Sequence, residues 1–505
     1  MLPRGIARLA ALDSQGFAAV DVCCRDRSES ARFTPRTAPH SRVSSPGAGS
    51  AASGHRGEIG HLVEERSESL DGGAPFQACL GRTRTRREDT GSGDAVTVAD
   101  LDELFAPEVV ADPYTYFARL REIDPVYWNE RFQLWVITGY EEVVWLLRHH
   151  ELFSSAIMRN STSPPYPPVD PEDLPLFDEV REFRADQLVE QDRPEHLHQR
   201  TVVHKYFTPT AMESWRPFVR DAVAELLDEL EPLGRMDVLT DLAAPLPVRV
   251  IAQMMDVPWE DRDHLRELAD SILYMNRGEP YRLRPLTEGM RGIVDYAAPL
   301  VEERLDRPGD DFISILAQGE KAGIFSRHQV LVNTGLLLFA GHETTMNLIC
   351  NGLLAFIRHP DQWDLLAADP GGMVRLATEE CLRYDPPVKS TQRIAAEDVR
   401  LSGQAIHKGD RIRWIMAAAN RDPSVFPDPD RFDIGRQPNP HISFGSGIHY
   451  CLGVALARME GQEVFRALAE RFGRIELATD EVEYQPSIQF RSLKSLPVSW
   501  ARRSR

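Results

Sequence analysis

The sequence predicts a mainly α domain with a minor β component, and three observations point to it. Stretches of helical period dominate residues 95–505, among them AVAELLDELEPL, QVLVNTGLLLFAGHETTMNLICNGLLAFI, MVRLATEECLRY and LGVALARMEGQEVFRALAERF. Short alternating runs, PVYWN, FQLWVITG and IRWIM, read as a small sheet component. Proline-rich loops at 163–175 and 426–432 separate the periodic segments, and no internal repeat occurs. These features describe one domain of about 410 residues.

Residues 1–94 have another texture. They hold 13 arginines, no lysine and 12 acids, are rich in Ser, Gly and Pro, and show no sustained period. Such a segment buries too little apolar surface to offset the entropy of ordering it. A disordered arm is predicted, or a translated stretch upstream of the true start. Asp13 and Asp21 interrupt the early apolar run, and the 12 acids do not suit an organellar transit peptide. Cys23, Cys24 and Cys79 lack the further spaced ligands of a zinc site.

Composition narrows the function. With 42% hydrophobic and 27% charged residues the chain is globular. Its net charge of −19 excludes general affinity for nucleic acid or anionic lipid. No run of about 18 apolar residues predicts a membrane span. Six cysteines in 505 residues are too few for a disulfide framework, so a reducing, cytoplasmic setting is expected.

The most informative segment is Phe444-Gly445-Ser446-Gly447-Ile448-His449-Tyr450-Cys451-Leu452-Gly453, which leads into the amphipathic stretch 452–472. The glycines permit positive φ and close approach to a flat ligand. A cysteine at the start of a helix is favoured as a thiolate by unpaired N–H groups and the dipole, and a thiolate can ligate haem iron. One cysteine in a glycine-rich loop would by itself read as a small apolar residue. The whole segment, however, matches F-x-x-G-x-H-x-C-x-G at every fixed position. It resembles the haem-binding loop of the cytochrome P-450 superfamily, and the likeness extends over about residues 96–505.

That resemblance implies a triangular helical prism with small sheets, with haem b (iron protoporphyrin IX) between a long central helix and the cysteine-loop helix. It makes Cys451 the axial ligand of the haem iron and gives Phe444, Gly445 and Gly453 to the cofactor loop. His196 and Arg200 (H-x-x-x-R, one helical turn apart), Arg393 and His449 fall at positions that meet the propionates. Glu380 and Arg383 form E-x-x-R on one helix face, in a helix ending at Asp385-Pro386-Pro387. With Arg431 of the segment PDRF they are expected to make a buried structural triad.

Ser326 through Gln329 reads as a capping box opening a helix to His359-Pro360. About 32 residues at 1.5 Å each span roughly 48 Å, enough to cross the domain. Its apolar length implies burial. Its centre is Ala340-Gly341-His342-Glu343-Thr344-Thr345, and burying a glycine, a carboxylate and hydroxyls mid-helix is costly unless chemistry requires them. The segment resembles the family's A-G-x-[D/E]-T motif. By that likeness Thr344 bonds dioxygen or the water that protonates it, Glu343 relays protons, and Gly341 gives O₂ room and lets the helix open locally. Thr345 is expected to bond back to a carbonyl one turn earlier, and His342 to be a packing or polar residue.

The implied function is insertion of one oxygen atom of O₂ into an apolar, medium-to-large organic substrate of terpenoid, steroid or polyketide type. The chain lacks flavin, dinucleotide and iron–sulfur signatures, so electrons are expected from an external ferredoxin and its reductase. His204, Lys205 and Arg458 could add positive charge on the cysteine side for docking. Tyr274, Leu337, Val388 and Phe490 are candidate substrate contacts. Lys389 could pair with an anionic substrate or point to solvent. An H₂O₂-driven peroxygenase and a non-catalytic haem sensor are the alternative readings; the intact Glu343–Thr344 pair speaks against the first.

Overall fold

The computed structural model describes residues 100–502 apart from 162–167 and 274–279. The segment 1–94 and Tyr274 therefore lie outside the described residues. Five strands form the larger sheet: β1 (Val126–Asn129), β2 (Leu134–Ile137), β3 (Phe153–Ser154), β5 (Ser390–Ala395) and β8 (Arg411–Ile415), in the order β1-β2-β8-β5-β3. Three of these are the alternating runs read from the sequence, and they are neighbours. β1 pairs antiparallel with β2 (Val126 opposite Ile137), and β2 pairs parallel with β8 (Trp135 opposite Ile412). Strand β4 (Arg235–Asp237) joins β10 (Pro497–Arg502) and β9 (Phe472–Leu477), while β6 (Val399–Leu401) and β7 (Gln404–Ile406) make a hairpin.

The helices that position the site are α1 (Glu195–His204), α2 (Pro245–Met254), α3 (Arg262–Leu273), α4 (Arg284–Asp306), α5 (Arg327–Arg358), α6 (Pro370–Tyr384) and α7 (Val454–Arg471). The helix α5 starts where the sequence said it would. Ser326 Oγ accepts from the Gln329 N–H and the Gln329 side chain accepts from the Ser326 N–H, a reciprocal cap. Its other end meets Pro360, which disfavours a helical conformation at His359. Most of its length is buried in the main helical core. Gly352 lets α7 approach it closely, since a Cβ there would lie 2.4 Å from Phe465 Cζ.

A second apolar cluster, with Trp135, Ile137, Leu146, Ile412 and Trp414, holds the larger sheet. This fastens β5, and Arg393 on it, beside the mouth of the cysteine loop. Among the described residues, no helix is long and apolar enough to cross a membrane.

Candidate functional site

The loop before α7 is shaped by backbone constraints. The Cys451 N–H donates to the Phe444 carbonyl at 3.0 Å and closes the loop. Gly445 and Gly447 both sit at φ +71°. Gly447 is the tighter position, because a Cβ would meet the Leu147 carbonyl oxygen at 2.3 Å. Cys451 faces a cavity of about 560 Å³. Burial pushes its thiol up, while the Gly453 N–H, Arg200 and Arg458 act in the opposite direction.

The four groups expected to meet the propionates, His196, Arg200, Arg393 and His449, all line the same cavity. His196 and His449 stack with ring centroids 4.0 Å apart. Burial, reinforced by the Arg200 guanidinium, pushes His196 down to about 4, and neither of its ring nitrogens has a hydrogen-bond partner among the described residues. Burial likewise lowers His449, helped by Arg393. Arg393 is held down to about 10 by burial, against the pull of Glu190 and Asp192. Arg200 donates to the Tyr450 carbonyl, and Ser155 Oγ lies 2.9 Å from His449 Nε2. His196 is buried and the other three are partly so, and burial disfavours the charged form of each, a setting that calls for anionic oxygens. Two propionates would satisfy that demand, so the residues present fit haem.

The opposite wall is α5. Leu337, Gly341 and Thr344 line the cavity. The helix is continuous through Gly341, so the expected local opening is absent. The space beside this glycine is filled by Ile251 of α2, whose Cδ1 would lie 2.8 Å from a Cβ there. Thr344 Oγ1 donates to the Ala340 carbonyl, one turn back, at 2.7 Å.

The back-bond expected of Thr345 is not made. It is Thr344 that bonds back one turn, whereas Thr345 Oγ1 donates to Glu460 Oε2 of α7 at 3.1 Å. Burial pushes the Glu460 carboxyl up to about 8, with the Thr345 bond acting the other way. Glu343 does not line the cavity; its Oε1 accepts from Ser492 Oγ at 2.7 Å, in the C-terminal turn. His342 is fully buried, with Nε2 at 3.8 Å from Asp270 Oδ1 of α3.

The expected triad needs one correction. Arg383 grips Glu380 with two 2.8 Å bonds, both side chains being fully buried. The third arm is Arg436, not Arg431. Arg436 Nε donates to Glu380 Oε1 at 3.3 Å and its side chain is 9% exposed. The Arg431 side chain is 64% exposed and reaches only Asp433, at 3.9 Å. What Arg431 gives the network is its carbonyl, which accepts from both Arg383 and Arg436. The loop turns the PDRF arginine outward and brings the next arginine in, over a Glu380 that also accepts from the Asp433 N–H and Asn439.

Val388 and Phe490 line the cavity and face each other across a backbone bridge. Lys389 follows neither expectation. It is 4% exposed and does not line the cavity; burial, with Arg491 and Arg413 acting against Asp385, brings it down to about 7. Arg458 makes two 2.7 Å bonds to Glu379, so its charge is neutralised rather than offered to a partner. Sequence reasoning missed Ser492, Glu460 and Arg436. Only the first had a legible pointer, the polar positions 343, 347 and 351 at four-residue spacing on a helix otherwise apolar.

The family model described as "Cytochrome P450" matches residues 373–494, which includes the E-x-x-R helix and the cysteine loop. The biotin biosynthesis cytochrome P450 of Bacillus subtilis is 36% identical, over 78% of this chain and 97% of the relative. The chain belongs to the cytochrome P450 family. The polyketide biosynthesis cytochrome P450 PksS of the same organism is 35% identical, over 77% of this chain and 96% of the relative. Among solved structures, P450BioI in complex with hexadec-9Z-enoic acid ligated acyl carrier protein superposes with a TM-score of 0.71 at 35% identity, covering 78% of this chain and 99% of that one. The fold is therefore that of a P450, the enzyme is a monooxygenase, and the cofactor is haem held by a cysteine thiolate.

Proposed function

We propose that this P450 inserts one oxygen atom of O₂ into an apolar, medium-to-large substrate of terpenoid, steroid or polyketide type, using electrons from a ferredoxin and its reductase in the cytoplasm. The observation that carries this reading is the cavity, which has Cys451 on one wall, Thr344 on the other and an apolar lining that includes Leu337, Val388 and Phe490. Relatives named for polyketide biosynthesis and an acyl-carrier complex support substrates of that size and character.

Bound haem supplies O₂ activation and transfer of an oxygen atom. The chain does the rest. Cys451 would hold the iron as a thiolate, and Arg200, Arg393, His196 and His449 would meet the propionates. Thr344 offers its hydroxyl to the oxygen-binding space, and Glu343, buried behind it, is the proton source. Val388 and Phe490 exclude water and orient the apolar ligand. For reduction, the exposed end of α1 presents His204 and Lys205, and Leu197 and Tyr450 add exposed apolar surface. A small acidic ferredoxin complements that face.

Spectral titration of the ferric protein against a compound library tests the substrate class. Apolar ligands are expected to displace water from the iron and convert it to high spin, whereas small polar compounds leave it unchanged. Turnover with a ferredoxin system should exceed turnover with H₂O₂. The reverse order would establish the peroxygenase reading, and the absence of product from either would leave only haem binding.

A further inference from the structure

Position 343 is not alone on its helix face. Asn347 and Asn351 follow at four-residue spacing, and all three meet the C-terminal turn. Asn351 Nδ2 donates to the Arg491 carbonyl at 2.9 Å, and Asn347 Nδ2 donates to Ser492 Oγ at 2.9 Å. Ser492 Oγ in turn donates to Glu343 Oε1 at 2.7 Å. The Ser492 carbonyl accepts from the Gln485 N–H at 2.8 Å, so the turn carrying the hydroxyl is itself tied down. All four side chains are buried, at 5% exposure or less.

In this arrangement the chain runs from Asn347 through Ser492 to Glu343. A hydroxyl has one proton to donate, and Asn347 occupies the oxygen as a donor. The proton of Ser492 is thereby directed at Glu343. A hydrogen bond to a carboxylate is charge-assisted and about twice as strong as a neutral one. The result is an acid held turned away from the cavity, with its backbone next to that of Thr344, the hydroxyl it serves.

We propose that Ser492 is the positioning residue for Glu343, with Asn347 orienting its hydroxyl, and that this contact sets how efficiently protons reach Thr344. The inference rests on Glu343 being the proton source. Ser492 touches neither substrate nor oxygen; it acts through the carboxylate, which it anchors and, after each proton is given up, stabilises as an anion.

The test is a double-mutant cycle on the haem-loaded enzyme with its electron donors. It reads product formed per electron consumed and the solvent isotope effect on turnover. Ser492→Ala is expected to lower coupled turnover by roughly tenfold and to enlarge the isotope effect, while the substrate-induced spin shift stays unchanged. Ser492→Thr should restore most of the loss. In a Glu343→Gln background, Ser492→Ala should cost nothing further.

Wild-type coupling in Ser492→Ala would overturn the proposal. So would a Ser492→Thr variant as impaired as the alanine, or losses that multiply in the double variant. If Ser492→Ala does not take up haem, Asn347→Ala carries the test, with a smaller loss expected and no loss overturning it. A Glu343→Gln enzyme that turns over normally would instead remove the proton-source role itself, a failure separable from the others.

Discussion

At the scale of single residues the site was legible wherever a residue belongs to a longer motif. A cysteine framed by glycines and a histidine, and a glutamate with an arginine three positions on, are picked out by the match of whole motifs to the family's pattern, since either spacing alone has commoner uses. Arg431 and Arg436 could not be ranked that way. They sit five positions apart in one irregular loop, and only the chain path decides which side chain turns inward. The missed contact of Thr345 has the same origin, since it depends on Glu460 arriving from another helix. The correction makes a direct prediction. Arg436→Ala leaves Glu380 partly unpaired in a buried network and should cost about 3 kcal/mol with loss of haem retention, as for other broken buried pairs. Arg431→Ala, which keeps the carbonyl, should stay within about 1 kcal/mol. Chemical unfolding of the two variants side by side checks the order.

At the scale of elements, boundaries came through where a local chemical signal marks them. The long helix α5 begins at its Ser326–Gln329 cap and ends before Pro360, and α6 ends at Tyr384, with Asp385 and two prolines following. Strand β5 left no such trace. Its sequence STQRIA mixes polar and apolar positions because Arg393 must face the cofactor cavity while its neighbours pair with β8 and β3. The cysteine loop behaves as an element too, and its two positive-φ glycines differ in a measurable way. Gly445→Ala meets nothing within 4 Å and should lose only about 1–2 kcal/mol from the left-handed conformation. Gly447→Ala must also displace the Leu147 backbone, so its haem content after purification should fall well below that of Gly445→Ala. Equal haem content in the two would contradict the close approach.

At the scale of the whole molecule, the helical frame and the small sheets were expected from periodicity, whereas the pairing of strands 390–395 and 411–415 with distant partners required the fold itself. Burying charge inside that frame has a consequence for its stability. Lys389 is brought down to about 7, from an ordinary value of about 10.4. Between those values the unfolded chain binds a proton that the folded one lacks, so stability through this site rises with pH across that window and is lowest at and below pH 7. Lys389→Met should therefore be more stable than wild type at pH 7, by about 2–4 kcal/mol, with the difference shrinking towards pH 10. Denaturant midpoints across that range check the sign. The account as a whole depends on the sulfur of Cys451 reaching the haem iron as a thiolate. Its most direct test is the absorption spectrum of the reduced, natively folded protein under carbon monoxide, with Cys451→His as the control. The account predicts the long-wavelength Soret band of thiolate ligation in the wild type and its replacement by a shorter-wavelength band in the variant. A wild-type band coinciding with that of the histidine variant would contradict it.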